Sequence, residues 1–146
     1  MLIKMFLAFL TSLFTGITLQ TPKSALVTAG LTGMLGWTVY NTMIQLKFST
    51  LFASVSGAIV IGGFAEIMSR IQKQPVTVYI VSGIIPLVPG ITSYDSMLNF
   101  INSRYLEGIS LAFKAFLIAA YLAAGLALVP ITVRFFRRRF GRSWVK

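Results

Sequence analysis

Residues 76–97 read Val76-Thr-Val-Tyr-Ile-Val-Ser-Gly-Ile-Ile85, then Pro86-Leu-Val-Pro-Gly90, then Ile91-Thr-Ser-Tyr-Asp-Ser-Met97. An apolar run enters, a proline–glycine cluster interrupts it, and a polar start follows. Pro86 cannot donate to the carbonyl of Ser82, nor Pro89 to that of Ile85. Each proline disfavours the helical region for the residue before it, Ile85 and Val88. Gly90 then permits whatever dihedral the chain needs. This predicts a broken helix. Unpaired backbone at membrane depth is tolerated only where protein buries it or a wet cavity receives it. Discontinuous helices near the midplane are the usual substrate sites of secondary transporters.

Outward from this stretch the chain is apolar almost throughout. The interrupted segment covers about Val76–Ile101, and four others run from about Met5–Leu19, Ser24–Ile44, Thr50–Met68 and Ile109–Val133. A bilayer core takes about twenty helical residues, which the first segment does not reach. Lys4 before an apolar run also suits a signal peptide, but no small-x-small cleavage site follows, which favours a retained helix. Of the 146 residues 56% are hydrophobic and 11% charged, with a mean hydropathy of +0.83. A soluble domain carries roughly a quarter charged residues. The expected fold is all-α: a polytopic helical membrane protein of about five transmembrane segments, or four if the first is not a span. Residues 1–146 form a single transmembrane domain with a basic tail, 134–146.

The net charge of +10 invites a nucleic-acid reading, but its placement opposes one. Arg134, Arg137, Arg138, Arg139, Arg142 and Lys146 follow directly on an apolar span, as a cytoplasmic flank obeying the positive-inside rule would. Lipid headgroups are the nearer anions. With the tail and Lys23, Arg70 and Lys73 inside, only Lys4, Lys47 and Arg104 remain outside. The N-terminus is then extracytoplasmic and the C-terminus cytoplasmic. There is no cysteine and no histidine, which removes disulfides, thiol chemistry and the usual zinc or haem ligation. It also removes the commonest general base. Neither a nucleotide loop nor a metal cluster is present, so neither an enzyme nor a cofactor is expected.

Helices in lipid associate through small residues and hydrogen bonds. Gly30, Gly33 and Gly36 mark the second segment, and Ser54, Ala58 and Gly62 the third. An alanine stripe at Ala115, Ala119, Ala123 and Ala127 marks the fifth. All three read as helix packing. They exceed what one small bundle can satisfy, so a partner chain or a homo-oligomer is expected. Glu66 and Arg70 extend the third stripe with the favourable spacing and order for an ion pair. Lys114 can snorkel outward along its stem.

The candidate substrate contacts are Pro86, Pro89, Gly90, Thr92, Ser93, Tyr94 and Asp95. Thr92 and Ser93 are good N-caps for a new half-helix, whose free amides and dipole attract a carboxylate. An aspartate at the centre of a membrane helix costs about 2.5–3.5 kcal/mol on insertion scales. Asp95 either completes a capping box with Thr92 or binds a substrate amine or proton. Ser93 and Tyr94 could offer hydroxyls to an amino acid or a small carboxylic acid, while Tyr94 also suits an interfacial marker. The competing class is a structural or assembly subunit that touches no substrate.

The run Phe64-Ala-Glu-Ile-Met-Ser-Arg70, Lys73-Gln-Pro75-Val76, Gly83-Ile-Ile-Pro-Leu-Val-Pro-Gly90 and Tyr94 resembles the C-terminal membrane domain of the threonine/serine exporter family. Ala29-Gly-Leu-Thr-Gly33, Gly36-Trp37 and Tyr40 agree with it. Essentially the whole chain is similar to that family's small subunit. The resemblance implies export of threonine and serine across a bacterial cytoplasmic membrane, or in some relatives of a dicarboxylate such as succinate. It also implies a larger membrane partner subunit. Two features depart from the pattern. Ile91 stands where a glycine or small residue is common, and Asp95 is not a general family feature.

Overall fold

The computed structural model describes residues 2–139. Six α-helices follow one another: α1 (Leu2–Thr18), α2 (Lys23–Gln45), α3 (Thr50–Gln72), α4 (Val76–Ile84), α5 (Gly90–Ile101) and α6 (Tyr105–Arg139). A single 3₁₀ turn, Ile85–Leu87, follows α4. No strand occurs among the described residues. The chain is thus an all-α membrane protein with its fourth segment broken. The basic tail falls mostly outside the description: the α6 backbone is placed to Arg139, and residues 140–146 lie outside the described residues.

The turns are short and closed without glycine. Gln20, Lys47, Lys73 and Ser103 all adopt the left-handed region, with φ of 55°, 62°, 54° and 60°. After α1 the amide of Thr21 reaches back to the carbonyl of Gly16. Phe48 does the same to Met43, Gln74 to Ser69 and Arg104 to Asn99. These bonds satisfy carbonyls that a helix end otherwise leaves orphaned. Pro22 and Pro75 then precede α2 and α4, and the Ser49 hydroxyl accepts from the amide of Phe52 to start α3.

α2 and α3 form the centre. α2 packs on α1, α3 and α4; α3 packs on α2, α4 and α6; α5 meets α6. Close backbone approach makes these contacts. A Cβ on Gly36 would overlap Ile61, and one on Gly125 would lie 2.8 Å from the Ala58 Cβ and 2.9 Å from the Val55 carbonyl. Gly30, Gly33 and Gly36 are buried in α2, as are Ser54, Ala58 and Gly62 in α3. The alanine stripe of α6 divides. Ala115 is buried, but Ala119, Ala123 and Ala127 are exposed. The face of α6 that meets the bundle is Ala115, Ile118, Leu122, Gly125 and Val129, because alternating steps of three and four follow a straight 3.6-residue helix better than steps of four alone.

By length and apolarity α3 and the Tyr105–Val133 part of α6 can each cross a membrane, and the α4–α5 pair forms a third span bent by 50°. α1 is apolar but has 17 residues, and α2, though 23 residues long, falls below that apolarity. These helices therefore meet the expected five-span count in three cases. The composition of α2 has a physical reason: neighbours on three sides cover it, so little of its surface has to satisfy lipid.

Candidate functional site

The break begins gently and ends abruptly. Ile85 stays helical at φ −51°, ψ −42°, contrary to the expectation from its proline neighbour, because Pro86 enters the first turn of the 3₁₀ segment, where no amide is needed. The departure comes at Val88, which is extended at φ −60°, ψ 133°, the conformation a following proline enforces. Pro89 at φ −75°, ψ 54° closes an inverse γ-turn, in which the amide of Gly90 donates to the carbonyl of Val88 at 2.7 Å.

α5 starts at Gly90, two residues before Thr92, and no side chain caps it. The capping-box reading of Thr92 and Asp95 is therefore replaced. Thr92 lies inside the first turn, and the Ser93 hydroxyl donates back to the carbonyl of Pro89 at 2.9 Å. Nor does Gly90 need to be glycine for its backbone. Its φ is not positive, and a Cβ there would meet nothing within 4 Å. The start of α5 is thus an uncapped helix end with open space beside it; the amides of Gly90 and Ser93 are used by the Val88 and Pro89 carbonyls, which leaves those of Ile91 and Thr92 with donor capacity.

The sequence-predicted contacts split between two faces of α5. Thr92 and Asp95 are half-buried on the side toward α6, together with Ser96 and Asn99. Ser96 is buried and donates to the Gly108 carbonyl at 2.8 Å, and the Asn99 amide donates to the backbone carbonyl of Asp95. Among the described residues the Asp95 carboxylate has no ion-pair partner. Ser93 and Tyr94 turn away and are exposed. Pro86 and Pro89 are half-buried. The structure groups Thr92 with Asp95 and does not bring Ser93 or Tyr94 to them.

α4 is held tightly on the other side of the break. Tyr79 is fully buried, and its hydroxyl donates to Gln72 Oε1 at 2.7 Å; the Thr28 hydroxyl donates to the same oxygen at 3.1 Å. Near the break a Cβ on Gly83 would come within 2.8 Å of Thr32 and 3.3 Å of the Gly33 amide nitrogen, and one on Gly33 would overlap the Ser12 hydroxyl. The hydroxyls of Ser12 and Ser82 are buried there without a hydrogen-bond partner among the described residues. Gly33 was the sequence signal for this crossing; the two serines carried none of their own.

A cleft of 310 Å³ lies elsewhere, lined by Gly62 and Glu66 of α3, Val76 and Ile80 of α4, and Val129 and Pro130 of α6. Glu66 Oε1 accepts from Arg70 Nη2 at 2.7 Å, with the glutamate side chain 22% and the arginine side chain 59% exposed. None of the residues from Pro86 to Asp95 lines this cleft. Pro130, inside α6, was the available signal for it.

The family model described as Threonine/Serine exporter, ThrE matches residues 4–132, which takes in the whole bundle and both halves of the broken segment. The chain belongs to the threonine/serine exporter family. A curated relative, the threonine/serine exporter of Corynebacterium glutamicum, is 28% identical over 115 residues, covering 79% of this chain and 23% of the relative. The chain thus spans about a quarter of that protein's length. No solved structure matches it. The family consists of transporters, so this is a multi-pass membrane protein of an amino-acid export family.

Proposed function

We propose that this chain is one subunit of a secondary exporter that moves threonine and serine out across the bacterial cytoplasmic membrane, with α1 and α2 also crossing and the C-terminus inside. The uncapped start of α5 in the middle of a bent span carries the reading. Its amides suit a substrate carboxylate, and Asp95, half-buried one turn along and without an ion-pair partner among the described residues, suits an ammonium group. A scaffold has no need of a helix broken at depth.

The remainder of the transporter comes from a larger membrane subunit of the same family, or else from further copies of this chain. One observation supports a partner: α5 leaves Ile91, Tyr94, Met97 and Ile101 uncovered.

The test is efflux from cells lacking the exporter, loaded with threonine, serine or succinate and supplied with this chain, with and without the larger subunit. Threonine efflux that needs both chains and drops at least about tenfold in Asp95→Asn, the loss of one charged contact, supports the shared site. Efflux with the larger subunit alone reduces this chain to a scaffold. Succinate movement without threonine movement replaces the cargo.

A further inference from the structure

We infer that the cleft between α3, α4 and α6 is a second binding site, selective for the amino group of a zwitterionic α-amino acid, with Glu66 as its selecting residue. The inference rests on the exporter reading and adds a site distinct from the break.

Glu66 is the charged residue among the cleft's lining; Gly62, Val76, Ile80, Val129 and Pro130 supply apolar walls. A volume of 310 Å³ holds an amino acid of threonine's size with room to spare. In α3, Glu66 lies six residues before the end at Gln72, about 9 Å along the axis. Its side chain is 22% exposed although it carries a charge, and the apolar walls of the cleft surround it. Arg70 sits one turn further out and is the more exposed of the pair. Of the guanidinium's five donors, one reaches Glu66 Oε1.

Arg70 does not line the cleft, so Glu66 is the pole that selects: an ammonium group set against it meets the carboxylate, while the side chain of the amino acid meets apolar walls. A dicarboxylate would place an anion beside Glu66 in a poorly hydrated space, and an N-acylated amino acid would lack the cation. Discrimination then arises from repulsion as much as from attraction.

The measurement is uptake of labelled L-threonine by inverted vesicles carrying this chain and the larger subunit, in competition with L-serine and with N-acetyl-L-serine. In the wild type, serine should compete at least about tenfold better, since the acylated compound loses the charge-assisted hydrogen bond. In Glu66→Gln the preference should shrink at least about threefold, the remainder belonging to Asp95, and Glu66→Asp should restore it. A Glu66→Gln exporter that keeps the full preference overturns the inference, because a purely structural role leaves selectivity unchanged. If Glu66→Gln transports nothing, the two compounds are compared by the thermal stabilisation they give the purified complex. A preference for serine undiminished from wild type in that variant overturns the inference; a reduced preference supports it. If wild-type vesicles take up no threonine, the exporter reading falls, and the same stabilisation assay on the wild-type and Glu66→Gln complexes still decides the cleft: a preference for serine over N-acetylserine that is reduced in Glu66→Gln supports it, and an equal or absent preference in both overturns it.

Discussion

α4 and α5 are two halves of one segment, yet they are held in opposite ways. α4 packs on α1, α2 and α3, buries Tyr79, Ser82 and Gly83, and sits so close to α2 that a methyl group at Gly83 does not fit. α5 meets α6, buries Ser96, and leaves Ile91 80% and Ile101 76% exposed. The break therefore separates an anchored half from one whose outer face awaits lipid or another chain. A kinked helix would have shared its neighbours across the bend.

The largest test of this contrast uses the absence of native cysteine. Met97→Cys and Ile101→Cys should react with a membrane-permeant maleimide at least about tenfold faster than Ser82→Cys, since exposure governs thiol reactivity. Adding the larger subunit should protect the α5 positions and leave Ser82→Cys unchanged; no protection would put that face outside the subunit interface. Next in size is Gly83→Ala, which should cost about 1–3 kcal/mol in denaturant unfolding in detergent, because Thr32 and the α2 backbone have to shift. Tyr79→Phe and Ser96→Ala each remove a buried side-chain hydrogen bond, one on either side of the break. Each should cost about 1 kcal/mol in the same assay. Ser96→Ala should in addition speed proteolysis within α5, whereas Tyr79→Phe should not. Smallest is Gly90→Ala, which should stay within about 0.5 kcal/mol, as a substitution that touches nothing does; transport lost without stability would then mark that open space as substrate space.

The break was legible in sequence because proline acts on its immediate neighbours. Val88 obeyed that local rule; Ile85 escaped it only because a 3₁₀ turn follows. The start of α5 was harder to read, since a γ-turn at Pro89 brings Gly90 into the helix and leaves Thr92 too late to cap it. Helix ends were visible as polar gaps, although the left-handed residues that close them are Gln20, Lys47, Lys73 and Ser103, none of them glycine. The alanines of α6 illustrate another limit. A four-residue spacing selected Ala119, Ala123 and Ala127, which a straight helix rotates off the buried face. The cleft at Glu66 required three helices to be assembled, and Pro130 was the one local mark of it.

The γ-turn at Pro89 also sets how motion can pass through the molecule. One amide–carbonyl bond, from Gly90 to Val88, bridges the inverse γ-turn, and no packing partner within 4 Å surrounds a Cβ placed at Gly90. The twelve residues of α5 make a lever about 18 Å long at 1.5 Å per residue. A rotation of about 10° at its root moves the far tip by about 3 Å and has to carry the start of α6 with it, because Ser96 donates to the Gly108 carbonyl and the Arg104 amide to that of Asn99.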